Sequence, residues 1–410
     1  MNFTRYWAKI ALFNFVILSL VGLLLRYKIL YPLPFIDHKH LLHGHSHFAF
    51  SGWVSTALYI AYIHLLNPEA NTKKRLGYYL WIHFLSSWGM LLTFPFMGYA
   101  AASICFSTLS ILISFVISFE FTTLIARSIN LTFEKKWLYS ALICNVLSAL
   151  GTFVLAYMMV TKNSHPFSYF GAVYFFLHFQ YNGWFLLSII GLLLAFVSNS
   201  GLSSISKSSN NFFYVIAWTL LPTWVLTLLW MDLHGSIETI ALVAAVVQLI
   251  GLLFFLKTLK LIFRTLKNTV NRSVWGLWTL SVSAFILKII LQTLSAIPQL
   301  NQYAFGIRPI VIGFLHLVLL GFVSLFLLGY LFENKLLQLK DAISKWSLWI
   351  FCTGVILNEL ILMIQGLCAI NRSDLPFSNH ILLTIAVMMF LGLAVLFGTQ
   401  IRFHFKEKNA

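Results

Sequence analysis

Charge is what this sequence is shortest of. Only 9% of its 410 residues are Asp, Glu, Lys or Arg, and 11 of them are acidic, against 60% hydrophobic and 17% aromatic residues. A soluble domain carries roughly a quarter charged residues to keep its surface wet, so this composition excludes a water-soluble fold. The four cysteines, Cys105, Cys144, Cys352 and Cys368, stand scattered in apolar stretches with no CxxC or CxxCH among them. Neither a thiolate metal site nor covalently attached c-type haem is indicated. Long polar segments are also missing: the longest connection is NSGLSSISKSSNN at 198–210, and the others are too short to hide a domain. The formal charge of +16 comes from scarcity of acid. In a chain of this composition it speaks of membrane topology, not of nucleic acid. The first apolar segment, IALFNFVILSLVGLLL, is as long as the later ones and lacks a small-residue cleavage site, so it is expected to stay as a span.

What the chain has in abundance is apolar segments of membrane-crossing length. They run roughly over 8–30, 42–66, 76–97, 101–126, 137–160, 169–197, 211–230, 235–263, 273–297, 305–332, 345–367 and 379–401, each able to cross about 30 Å of hydrocarbon at a rise of about 1.5 Å per residue. The expected fold is all-α, a polytopic membrane protein of about twelve transmembrane helices. It forms a single transmembrane domain over 1–410, whose only visible division separates 1–197 from 211–410. An even count puts both termini on one side, and that side holds 20 Lys and Arg against six on the other, with Lys288 inside a helix. Cytoplasmic termini in a cell inner membrane follow from the excess. No repeat of sequence between the two halves stands out.

With this topology ten of thirteen histidines fall in the outer half or outer loops: His38, His40, His43, His45, His47, His165, His178, His234, His316 and His380. His64, His83 and His404 fall toward the cytoplasm. Imidazole offers a nitrogen lone pair to haem iron, copper or zinc without bringing negative charge into lipid. The densest group is HGHSHFAFSGW at 43–53. There His43 and His47 share a helix face and His45 points roughly opposite, while Gly52 permits close approach by a flat cofactor or a helix. An exposed metal-scavenging tract is the alternative. The segment FLHFQYNGW at 176–184 places His178 too deep to snorkel, as a metal ligand or as polar glue between helices. In IGFLHLVLLGF at 312–322, His316 is the only ionisable side chain deep in its helix, which favours a ligand. WMDLH at 230–234, with Glu238 one turn on, reads as a metal ligand, a proton path or an interface loop. Lys288 and Glu359 are intramembrane and able to pair or relay protons, and Glu120 and His83 could open a proton route from the cytoplasmic side.

These motifs resemble the twelve-helix haem-copper superfamily: terminal oxidase subunit I, nitric oxide reductases and the haem- and copper-containing NnrS proteins. The resemblance in helix count spans nearly the whole chain, and the motif match is short. It implies low-spin haem b held between the second and tenth helices, with His45 on the family's haem position, His47 as the neighbouring candidate and His316 as the partner. It implies copper near His178 on the sixth helix and His234 at the outer end of the seventh, with His43 a further metal candidate. The adjacent His–His pair of the family is missing, and the tenth helix has one histidine where a two-haem oxidase has two. Two arrangements stay open. His45 or His47 with His316 fills both axial positions of one haem, or His316 alone holds an open-coordinate haem with copper on His178, His234 and His47.

The function that follows is haem binding in respiratory electron transfer or nitric oxide handling. Its partners are the lipid bilayer, an electron donor such as a cytochrome or quinol, and a small gaseous ligand. Oxidoreductase turnover and a non-enzymatic assembly or sensing role are both open. The competing reading is a transporter or metal-handling membrane protein that collects a cation on its outer histidines.

Overall fold

The computed structural model describes residues 3–162, 165–198, 206–231, 233, 235–267 and 269–409. Among them every regular element is helical, and twelve helices are long and apolar enough to cross a membrane. They are α1 (Phe3–Leu30), α2 (His38–Leu66), α3 (Ala70–Met97), α4 (Ala101–Arg127), α5 (Glu134–Thr161), α6 (Pro166–Ser198), α7 (Lys207–Met231), α8 (Gly235–Arg264), α9 (Arg272–Leu294), α10 (Arg308–Glu333), α11 (Ala342–Ile370) and α12 (Ser378–Phe403). The polytopic all-α fold read from composition and apolar run length is the fold observed.

Boundaries move where local chemistry overrides hydropathy. Helix α2 starts at His38, four residues before the apolar run, because Asp37 is extended (φ −70°, ψ 138°) and its carboxylate accepts the His40 backbone N–H at 2.9 Å. This is a side-chain cap on an otherwise orphaned donor. The same N–H holds the Asp37 carboxyl below its ordinary range. Between α9 and α10 the expected loop is a short helix, Pro298–Gly306, followed by extended Ile307 (φ −107°, ψ 105°). Prolines in the first turns of both the short helix and α10 start a helix readily but cannot continue one.

The chain divides into two compact units, each discontinuous in sequence: 1–117 with 271–278 and 324–410, and 118–270 with 279–323. In the first, Phe15 of α1 stacks on Trp53 of α2 (4.2 Å between centroids, 3° between planes) and meets Phe351 of α11 edge-on at 5.4 Å. In the second, Phe212, Phe255, Phe285 and Phe322 make a chain of ring contacts at 5.0–5.1 Å across α7, α8, α9 and α10. The spans most shielded by their neighbours are α2 and α6, with 78% and 89% of their apolar windows buried. These two spans carry the histidine-rich motifs.

Candidate functional site

Three spans break from α-helical geometry in the same way. A π-helical stretch runs over Ala49–Ser55 in α2, Phe179–Phe185 in α6 and Leu317–Ser324 in α10. Such widened turns are rare and concentrate at functional positions. The residues entering them align without a gap: HFAFSGW at 47–53, HFQYNGW at 178–184 and HLVLLGF at 316–322. Each begins with a histidine, places a glycine five residues on and follows it with Trp or Phe. The repeat recurs every fourth span, so a comparison of two halves passes over it, whereas one of thirds finds it. It puts His47, not His45, in register with His178 and His316.

Widening a helix redirects carbonyls that must be satisfied where no water is present. Neighbouring spans supply the donors. In the first unit His83 of α3, 2% exposed, donates from Nε2 to the Ser51 carbonyl at 2.9 Å, and Asn14 of α1 donates to the Gly52 carbonyl at 2.7 Å. In the second unit the Ser281 hydroxyl of α9 donates to the Phe322 carbonyl at 2.7 Å. His83 is therefore a support of the α2 distortion, a role that the expected proton route through it did not suggest. The glycines serve close packing. A Cβ on Gly183 would lie 2.5 Å from the Cys144 Cβ, and one on Gly321 would lie 3.1 Å from the Ala284 Cβ. At Gly52 a built Cβ would lie 2.6 Å from the Phe48 ring of the same helix.

The histidines of HGHSH separate as their spacing requires. The His45 ring lies against Gly22 of α1. His43 and His47 turn to the other side, His43 edge-on to Tyr99 at 4.9 Å and His47 stacked on Phe94 at 4.5 Å and 4°. His47 Nε2 is 3.4 Å from the Tyr99 hydroxyl.

His178 and His316 differ sharply. His178 is 1% exposed and uses both ring nitrogens: Nε2 donates to the Leu220 carbonyl at 2.7 Å, and Nδ1 accepts from the Asn182 amide at 3.1 Å. Asn182 accepts in turn from Lys288 Nζ at 2.6 Å, and Lys288 is itself 3% exposed. Lys288, Asn182, His178 and Leu220 thus form one run of hydrogen bonds, each group donating to the next. Gln180 donates to Asn145 and Ser148 of α5 at 3.1 and 2.8 Å. His316 is half-buried, and its Nδ1–H donates to the Ile312 carbonyl one turn back at 2.9 Å.

His234 lies outside the described residues. Among the described residues no three His, Cys, Asp or Glu side chains stand together so as to hold a metal ion. Glu359 of α11 accepts from its neighbour Asn358 at 3.1 Å. No family model and no curated protein matches the chain.

Proposed function

We propose that the chain is a haem-binding integral membrane protein of the haem-copper oxidase and NnrS kind, serving respiratory electron transfer or nitric oxide handling. One observation carries the reading. His316 enters a π-helical stretch in the register shared with His47 and His178, and its Nδ1–H donates to a backbone carbonyl, the kind of bond that orients an imidazole toward a metal. In the second unit His316 would hold the haem. In the first unit His47 holds the matching register and His45 the position that the family resemblance points to. Haem b held there would supply one-electron chemistry and a place for a diatomic gas. The donor such a centre requires is a cytochrome or quinol. The preponderance of basic residues on one side supports an inner-membrane orientation with both termini cytoplasmic.

Of the copper candidates, His178 has both nitrogens committed to hydrogen bonds, and a metal there would have to displace Asn182 or the Leu220 carbonyl. The reading therefore rests on haem and leaves copper to metal analysis of the same sample. The test is an absorption spectrum of the detergent-purified chain expressed with haem supply. The expected result is a Soret band that shifts on reduction and disappears in monodisperse His316→Ala. A haem-free preparation overturns the proposal, and cation uptake by proteoliposomes of that preparation would put the transporter reading in its place.

A further inference from the structure

The outer end of the second unit carries a cavity that haem binding does not use. Its volume is about 780 Å³, within the range of small-molecule sites. Phe170 and Tyr174 of α6, Trp230 at the end of α7, Glu238 in the first turn of α8, and Asn301 and Phe305 of the short helix Pro298–Gly306 form its walls. The last seven residues of α7, Val225–Met231, tighten into a 3-10 turn, and the Asn301 amide donates to the Leu229 carbonyl of that turn at 3.0 Å. The bond fastens the short helix over the cavity.

Three features define what fits. The aromatic rings meet at steep angles, Phe170 with Trp230 at 5.5 Å and 89° and Tyr174 with Phe305 at 6.5 Å and 73°. Phe170 and Trp230 remain 42% and 37% exposed, so protein leaves part of each uncovered. Glu238 is the one formal charge among the described lining residues. Asn301 Oδ1 is buried and has no hydrogen-bond partner among the described residues, an acceptor that costs free energy until a donor reaches it. The lining thus offers π faces, one carboxylate and one orphaned acceptor. A positively charged N–H donor with an apolar body complements all three.

We propose that this cavity binds an organic ammonium ion, its N–H groups directed to Glu238 and Asn301 and its apolar substituent held among Phe170, Tyr174, Trp230 and Phe305. A divalent metal would need several more oxygen ligands than one carboxylate and one amide supply. An anion would meet Glu238. A neutral diol or quinol would use the acceptors but gain nothing from the attraction of ring faces for charge.

The experiment is calorimetric titration of the full chain in nanodiscs, with empty nanodiscs as control. Phenethylammonium is compared with the near-isosteric phenethyl alcohol, with phenylpropanoate and with a short-chain quinol. The ammonium is expected to bind at least about tenfold more tightly than the alcohol, with the carboxylate not binding. Glu238→Gln should remove most of that preference, and Trp230→Leu should weaken the ammonium while Trp230→Phe retains it. Equal binding of alcohol and ammonium, tighter binding of a quinol than of the ammonium, no binding of the ammonium, or an unchanged preference in Glu238→Gln overturns the assignment. The comparison of ligands on the unmodified protein decides the matter even where a variant fails to fold. Haem content does not enter the readout, so the proposal stands or falls apart from the haem reading.

Discussion

His178 and His316 begin two copies of one motif and belong to one structural unit, yet the molecule has treated them in opposite ways. The difference lies four residues on. Where α6 has Asn182, α10 has Leu320. Asn182 reaches back one turn to His178 Nδ1 and forward to Lys288, and the Leu220 carbonyl takes the remaining nitrogen. Leucine can do none of this, and the His316 ring instead turns its Nδ1–H to its own helix. A histidine becomes structural when its neighbours consume both nitrogens. Where the backbone takes the Nδ1–H, as at His316, the ring is held in the way that the proposed haem ligand requires.

The largest expected effect tests that contrast directly. His316→Ala should abolish the haem spectrum in a folded protein, whereas His178→Ala should keep the spectrum and lower thermal stability, the loss of a packed, doubly bonded core side chain costing about 2–5 kcal/mol. Spectra and melting curves of both variants, taken side by side, check it. A spectrum lost in His178→Ala and kept in His316→Ala would exchange the two roles.

The next effect concerns the lock itself. Asn182→Leu makes α6 resemble α10 and strands two groups at once, Lys288 Nζ and His178 Nδ1, at about 1–3 kcal/mol each. Lys288→Met strands only the Asn182 oxygen and should cost less. Because both variants remove the same bond, the double variant should be destabilised by less than their sum. Denaturant titration of the four proteins reads the coupling, and strict additivity would show that the bond contributes nothing. Smaller again is the glycine pair. Gly183→Ala should destabilise by about 1–3 kcal/mol because Cys144 leaves no room, while Gly321→Ala should cost less, since Ala284 needs to yield only a few tenths of an ångström. Cys144→Gly should recover part of the first loss. Melting temperatures rank the variants.

Much of the fold was legible because apolar run length is decided residue by residue, and twelve runs gave twelve helices. Two of the places where the structure departs from the expected spans, Asp37 before α2 and Pro298 after α9, are each set by one side chain acting on local backbone. The site was legible only in part. Depth and residue type pointed to His178 and His316, but their division depends on Asn182 and Lys288, which are 106 residues apart, and no local pattern announces that pairing. The π-helical stretches could have been found from the HxxxxG repeat in α2, α6 and α10, had the chain been compared in thirds. The support from His83 to the Ser51 carbonyl could not, because hydropathy says nothing of which carbonyl a buried imidazole will meet.

The smallest expected effect lies in α2, the third copy of the motif, whose first turn sets where His43 and His47 stand. Asp37 is fully exposed, and its carboxylate caps the His40 N–H. The bond lowers the folded-state pKa of Asp37, so its contribution is present above the ordinary aspartate range and is lost as pH falls through the lowered value. Acidification through and below that range should therefore loosen the first turn. Hydrogen exchange at the His40 and Leu41 amides, corrected for the intrinsic pH dependence of exchange, should quicken there and not near neutrality. Asp37→Ala should show the quickened exchange at every pH, while Asp37→Asn, which keeps a capping oxygen, should show protection that no longer varies with pH. Equal protection in Asp37→Ala and the unmodified chain would mean that packing against Gly98, where the His40 ring fills the place of a Cβ, holds the turn without the cap.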